Sequence, residues 1–134
     1  TTAGAEKWLG GAWPAASVLA RAEWVKAHPK ETQAVVNALV ATMHWIDTHS
    51  AEQIADKMPA DFVSSPLTTK AQYITALTQD KGQFLPDGMM PQGGPEKVLD
   101  VEKLAGKITG PVNLATTWDP TFVIAANKML GESK

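Results

Sequence analysis

The sequence predicts a predominantly α-helical chain with one or two short strands. Apolar residues between positions 30 and 48 recur every three or four residues, which is the period of an α-helix. Ser50 and Thr69 stand where helix-capping residues are expected, each directly before a further helical pattern. Residues 16–21 (ASVLAR) form the best strand candidate, a short apolar run after turn-forming residues. These observations place the chain in the mostly α class.

The N-terminal region predicts a loop that enters this strand. Residues 1–13 are small and glycine-rich, and Gly10 and Gly11 permit backbone conformations closed to other residues. Pro14 favours an extended entry into residues 16–21. The opening TTAGAEKW has no capping or turn signal, so we expect it to continue an element upstream. A lone strand leaves unpaired backbone groups on both edges, so we expect its partners in missing chain or in a second copy.

Proline and histidine mark the boundary between the first two predicted helices. Residues 22–27 can form a short helix, and Pro29 ends it because proline lacks the backbone N–H. The same proline is favoured at the first position of a new helix, with His28 as its N-cap. We expect residues 30–48 to span about 28 Å as one helix. Its expected inward face carries Val35, Leu39, Met43 and Ile46, with Ala38 and Thr42. Its expected outer face carries Gln33, Asn37, His44 and Asp47.

Capping residues and glycines delimit the remaining helices. Ser50 and Gln53 form a capping box that opens a helix to about Met58, before Pro59. Thr68 or Thr69 caps a helix over residues 70–80, with Gly82 at its end. Residues 83–95 are a loop containing the turn Pro86-Asp87-Gly88. Two further helices follow, one from Pro95 to Gly106 and one over residues 120–130 with Asp119 as its N-cap.

Composition excludes several functional classes. The chain has 134 residues, enough for one domain or part of one, and 44% of them are hydrophobic. A net charge of −2 with no basic cluster argues against nucleic acid as a partner. The absence of cysteine excludes disulfides, thiolate metal sites and a cysteine nucleophile. No apolar run approaches the length of a membrane span, and the first residues do not resemble a signal peptide.

No residue cluster predicts catalysis, a metal site or a cofactor. His44 and His49 are five positions apart, whereas two ligands on one helical face need a spacing of three or four. His28 lies at the other end of the long helix. Ser17, Ser64 and Ser65 stand in neither a nucleophile elbow nor a Ser-x-x-Lys pattern. We therefore expect that the protein is not an enzyme.

The strongest candidate for ligand binding is the segment Gly10-Gly11-Ala12-Trp13-Pro14. Amides of Gly10 and Gly11 can bind an anion, and Trp13 offers a flat apolar wall. The structural alternative is a tight turn packed by a tryptophan, which is the commoner origin of a Gly-Gly pair. Trp24 and Trp45 fall at helical positions that favour the core. Met89 and Met90 lie in a loop, where they can cover a hydrophobic edge or an interface.

Four stretches, in this order, resemble the C-terminal part of the solute-binding proteins of nitrate/sulfonate/taurine-type ABC importers. They are GGAWPAASVLAR, EWVKAHPKETQAVVNALVATMHWIDTHSAEQIADKM, FLPDGMMPQGG and TWDPTFV. In that family a strand from the lobe crossover precedes a helix, a His/Asn-Pro break and a long helix ending in Trp-Ile. A short helix, a Pro-Asp-Gly turn and an aromatic-rich terminal segment follow. The corresponding pieces here are residues 16–21, 23–28, Pro29, Trp45-Ile46, 49–55, 86–88 and 117–123.

The resemblance implies a two-lobed α/β fold of the type II periplasmic-binding-protein kind. Residues 1–134 would then be a single partial domain, with a crossover loop and strand in residues 1–21 and a helical part of the first lobe in residues 22–134. It implies capture of a small, anionic or organic-acid solute between the lobes, an ABC permease as partner and a periplasmic or extracytoplasmic location. Pyrimidine-precursor synthases share this fold, but their chemistry needs a histidine and metal site that these residues do not assemble.

A second interpretation belongs to another functional class. The chain can be a self-contained helical interaction module that binds no small molecule. Such a module would bury its apolar helix faces without further chain. A cooperative, protected monomer would favour this interpretation, and exposed apolar surface or dimerisation would favour the partial domain.

Overall fold

The computed structural model describes residues 2–11, 13–14, 16–80 and 85–131. The described chain is predominantly helical, which confirms the mostly α prediction. Its α-helices, in order, are α1 (Thr2–Leu9), α2 (Ala22–Ala27), α3 (Pro29–Thr48), α4 (Ala51–Lys57), α5 (Ala60–Val63), α6 (Lys70–Gln79), α7 (Gly94–Leu104) and α8 (Thr121–Met129). A short 3-10 helix at Leu114–Thr116 precedes α8. The predicted helix end at Gly82 lies outside the described residues.

Two predictions for the N-terminal region are wrong in this structure. The chain begins in helix α1 rather than in a loop, because Ala, Glu, Lys and Leu between residues 2 and 9 all favour helix. Residues 16–21 run without a turn or bend and are exposed, but they pair with no strand. A strand needs a hydrogen-bonded neighbour, and the described chain supplies none to this segment. The β-type pairing found among the described residues is a single bridge between Ser65 and Thr68.

Helix α3 is shared by two separate hydrophobic clusters. The α8 cluster consists of Val40, Val123 and Ala126, with Val36, Met43 and Met89 packed around them. The α4–α6 cluster consists of Ala51, Ile54 and Leu77, with Trp45, Ile46, Tyr73 and Ile74 packed around them. At about 100° per residue, Val40 and Trp45 lie about 140° apart around α3. The two clusters therefore form on different faces of the same helix.

The predicted inward face of α3 is wrong for four of its six residues, among them Ala38 and Thr42, which are exposed. Val35 and Leu39 remain 50% and 40% exposed. Gln33 and Asn37, predicted to face solvent, lie instead on the α8 side. The Gln33 side-chain amide donates to the Phe122 carbonyl at 2.9 Å and to the Asn37 side chain at 2.7 Å. Because α8 offers polar partners at its start, polar residues of α3 can face it at little cost.

Reciprocal capping boxes start α4 and α6. The Ser50 amide donates to the Gln53 side chain at 2.9 Å, and the Gln53 amide donates to the Ser50 hydroxyl at 3.3 Å. Thr69 and Gln72 repeat this exchange, which identifies Thr69 rather than Thr68 as the cap. These bonds satisfy amides that the first helical turn leaves unpaired, so both predicted helix starts are confirmed.

The Pro86-Asp87-Gly88 turn is confirmed and packs directly on the α8 cluster. The Gly88 amide donates to the Leu85 carbonyl at 3.0 Å, and Gly88 has φ +62°. A Cβ placed on Gly88 would lie 2.8 Å from Met43 Cε and 3.3 Å from Val40 Cγ2. The buried Asn127 side chain donates to the Asp87 carbonyl at 2.8 Å. This turn therefore closes the cluster and requires glycine for both space and conformation.

The described helices leave much apolar surface exposed. The chain has 9733 Å² of solvent-accessible surface. A compact monomer of 14.3 kDa is expected to expose roughly 6,800 Å². The difference is roughly 2,900 Å², which exceeds one partner's share of a standard protein interface. The most exposed large apolar side chains are Trp8, Val18, Leu19, Phe62, Leu67 and Leu104.

Replacing Gly88 with alanine tests the close packing of the turn. We expect Gly88→Ala to lower the free energy of unfolding by about 2–4 kcal/mol, because it combines left-handed strain with overpacking against Met43. Gly93→Ala is the matched control in the same loop, since Gly93 has φ +76° and open space around it. We expect the control to cost about 1–2 kcal/mol in urea denaturation. Equal losses for the two variants would contradict the packing described for Gly88.

Truncating Ile54 tests whether the two clusters are separate. We expect Ile54→Ala to cost about 2–5 kcal/mol locally, because Ile54 is 4% exposed within the α4–α6 cluster. Hydrogen exchange should accelerate in α4 and α6 while the amides of α8 keep their protection. Val40→Ala is the reciprocal control and should affect α8 first. Uniform acceleration across the chain would show that the clusters unfold as one.

Candidate functional site

The predicted ligand-binding glycines close the C-terminus of α1. Gly10 has φ +71°, and the Gly11 amide donates to the Glu6 carbonyl at 3.1 Å. A glycine in the left-handed conformation, followed by an amide that donates to a carbonyl five residues earlier, is the Schellman motif. This motif satisfies carbonyl groups at the end of a helix. The Gly11 amide is therefore occupied by the chain itself. The ligand-binding role of Gly10, Gly11 and Trp13 stays a prediction, and Ala12 lies outside the described residues.

The same glycines lie against helix α7. A Cβ placed on Gly10 would lie 3.3 Å from Lys97 Nζ, and one on Gly11 would lie 3.5 Å from Lys97 Cε. Pro14 contacts the start of α7, since a Cβ on Gly94 would lie 3.1 Å from Pro14 Cδ. Trp13 and Lys97 are both half-buried. The segment and the first turns of α7 thus form one surface.

This surface can attract an anion through Lys97 rather than through the glycine amides. The half-buried lysine supplies a positive charge and three hydrogen-bond donors close to Gly10 and Gly11. Sequence reasoning missed Lys97 because its contact with Gly10 joins positions 87 residues apart. No local pattern around Lys97 indicates this contact.

Two of the three histidines make contacts that stabilise local structure. His28 stands at the N-cap of α3, but its ring makes no capping bond and stacks on Trp24 with 4.9 Å between ring centroids. His49 stacks on Trp45 at 4.0 Å, and its Nδ1 donates to the Trp45 carbonyl at 2.7 Å. His44 is half-buried on α3. Among the described residues no group of three His, Cys, Asp or Glu side chains is placed to hold a metal ion.

The remaining candidates also serve local structure. Ser65 and Thr68 exchange backbone bonds in the turn before α6, and Ser64 follows α5. Asp56 pairs with Lys70 at 2.6 Å, which links α4 to α6 on the surface. Trp24 was predicted to lie in the core but is 45% exposed, and its ring stacks on that of His28. Met89 covers the α8 cluster, as the sequence suggested.

A groove between α3 and α4 was not anticipated from the sequence. It has a volume of about 470 Å³ and is open to solvent. Its walls come from two adjacent helices and consist of Ala41, Thr42, Trp45, Ile46, Ile54, Lys57 and Met58. Lys57 is the charged residue of this lining, and the other walls are mainly apolar. Such a groove suits an apolar side chain or helix face better than a small polar molecule.

Comparison with known proteins identifies no relative. No protein-family model matches the chain, and neither a curated protein nor a solved structure matches it. In the part of the chain that the structure describes, no helix combines the length and apolar character needed to cross a membrane. Functional arguments for this protein therefore rest on its own residues and on the order of its motifs.

Asp119 has a perturbed acidity that follows from its hydrogen bonds with Thr121 just before α8. Hydrogen bonds from the Thr121 side chain and backbone hold the pKa of Asp119 below its ordinary value of 3.8. Asp119 Oδ1 accepts the Thr121 amide at 2.9 Å at the start of α8. Helix α8 begins at Thr121, one residue later than predicted, and its N-cap is Pro120, so the prediction of Asp119 as the N-cap is wrong. The carboxylate therefore stabilises α8 and needs no catalytic explanation.

The acid dependence of stability tests this role. A depressed folded-state pKa means that Asp119 stabilises the fold above pH 3.8, and that this contribution is lost as the pH falls through the folded-state pKa. Asp119→Asn keeps an acceptor for Thr121 but does not titrate, so it should retain stability at neutral pH and lose less in acid. Asp119→Ala removes the acceptor of the Thr121 amide and should lower stability at neutral pH. Identical acid profiles for wild type and Asp119→Asn in urea titrations would contradict the assignment.

Proposed function

We propose that this chain is part of the solute-binding component of an ABC importer and helps capture a small anionic solute between two lobes. The proposed fold is the C-terminal portion of a type II-like, two-lobed α/β binding protein outside the cytoplasm. The mechanism is noncovalent: the lobes close over the ligand, and the permease recognises the closed form. The order of the four sequence stretches across the chain is the first support.

The observation that carries the proposal is the unpaired segment at residues 16–21. Its composition favours a strand, it runs without a turn or bend, and Val18 and Leu19 are 64% and 89% exposed. Such a segment gains hydrogen bonds and burial when a neighbouring strand is supplied. A sheet contributed by further chain would satisfy it, as the proposed two-lobed architecture requires. The surplus of exposed surface described above agrees with this requirement.

The surface formed by Gly10, Trp13 and Lys97 supports an anionic ligand. Gly10 and Trp13 directly precede residues 16–21, so this surface would lie beside the junction between the lobes. A lysine binds carboxylate or sulfonate groups through charge-assisted hydrogen bonds. In this arrangement Lys97 supplies affinity, while Gly10 and Gly11 allow close approach of the backbone to its side chain.

An antibody raised against this chain provides a direct test on the native protein. We expect it to detect, in the source cells, an extracytoplasmic protein of at least twice 14.3 kDa. The purified native protein should bind nitrate, taurine or ethanesulfonate in isothermal titration calorimetry. Lys97→Gln should weaken this binding about tenfold or more, because a charge-assisted bond is lost.

Lys103→Gln is the matched control, since Lys103 is an exposed lysine on the same helix. The Lys103→Gln variant should bind the same anions with the affinity of the wild-type protein. A cytoplasmic protein of 14 kDa would overturn the importer assignment. Equal losses of anion affinity in the two lysine variants would show that Lys97 is not part of the binding site. That result would not affect the importer assignment.

The second candidate function is a helical interaction module. It is favoured by the exposed apolar residues of α3, which lie beside a groove suited to another helix. Hydrogen exchange of the isolated chain separates the two candidates. A cooperatively protected monomer would favour the module, whereas rapid exchange with binding of an apolar dye would favour the partial domain.

A further inference from the structure

Helix α3 presents a mainly apolar seam whose first half neither cluster uses, while Ile46 at its end also packs against the α4–α6 cluster. The seam consists of Val35, Leu39, Thr42 and Ile46, which follow one another at spacings of four, three and four residues. This alternation is the heptad pattern by which two helices pack along a shared line. The seam is about 16 Å long, and Val35 and Leu39 at its first half are substantially exposed.

The seam continues into the groove between α3 and α4. Thr42 and Ile46 belong to both, and Ile54 and Met58 extend the apolar surface onto α4. The two features therefore form one elongated surface. A helix laid along the seam would also cover the groove.

The ends of this surface carry opposite charges. Glu31 lies one helical turn before Val35, and its side chain is 62% exposed. Lys57 lines the groove at the other end, close to Ile46. A surface that is acidic at one end and basic at the other is complementary to itself in the antiparallel orientation.

We infer that this surface binds a second copy of the same chain through antiparallel packing of α3 on α3. A two-fold axis beside residues 38 and 39 would place Val35 on Thr42 of the second copy. The same axis would bring Glu31 to the groove of the second copy, where Lys57 lies. Both the apolar contacts and the charge pairs then occur twice, as two-fold symmetry requires.

The chain as a whole exposes more surface than such a dimer would bury. A standard interface takes about 800 Å² from each partner. The chain exposes roughly 2,900 Å² more than a compact monomer of its mass. A dimer through α3 would therefore leave residues 16–21 and their surroundings available. The inference uses a different surface from the proposed function and does not depend on it.

Sedimentation analysis of the isolated chain over a range of concentrations tests the inference. We expect a reversible dimer whose dissociation constant rises about tenfold or more in Leu39→Glu. Leu104→Glu is the control, because Leu104 is 89% exposed and lies outside the seam. Circular dichroism of each variant establishes that it retains its helices. A monomer at all concentrations would overturn the inference and leave the seam to a different partner.

Charge reversal tests the antiparallel orientation. Glu31→Lys and Lys57→Glu should each weaken the dimer severalfold, and the double variant should restore most of the affinity. Because the chain contains no cysteine, Leu39→Cys introduces a single thiol beside the proposed axis. It should form a disulfide-linked dimer far faster than Leu104→Cys. A dimer that forms without this rescue or this cross-link would overturn the proposed arrangement.

Discussion

The structure depends on the division of helix α3 between two partners. Its N-terminal two-thirds pack on α8, and its C-terminal end packs on α4 and α6 through a different face. Neither cluster is large: Val40, Val123 and Ala126 form one, and three residues from α4 and α6 form the other. Because both clusters require α3 to be straight and continuous, the helix that follows Pro29 holds the described chain together. A break within α3 would separate the clusters from each other.

Features determined by neighbouring residues were predictable from the sequence. The Pro29 break, the capping box at Ser50 and the turn at Gly88 depend on backbone hydrogen bonds within a few residues, and each is confirmed. The helical class follows from the same signals. The start and end of a helix depend mainly on residues close to them in the chain, so a single sequence predicts them well.

Features determined by distant residues were not predictable in the same way. Periodicity shows that α3 has apolar positions, but those positions surround much of the helix. The periodicity therefore does not identify the buried face. That face depends on where α8 packs, and α8 packs on the side of α3 that carries Val40 and Gln33. The contact of Lys97 with Gly10 and the isolation of residues 16–21 are of the same kind. The strand prediction identified a segment able to pair, whereas pairing itself needs a neighbour that the described chain lacks.

The buried side-chain amide of Asn127 has a consequence for how the chain unfolds. Its nitrogen donates both to the Asp87 carbonyl at 2.8 Å and to the Val123 carbonyl at 3.0 Å. This amide therefore joins the mid-chain turn to α8 across 40 residues of sequence, beside the apolar packing of Gly88 and Met89 on the same helix. When α8 detaches, the Asp87 carbonyl loses the hydrogen bond from Asn127, and Val40 becomes exposed to solvent at the same time. Proteases that sample the open state should then cut in the 85–93 loop and near the C-terminus with matching rates.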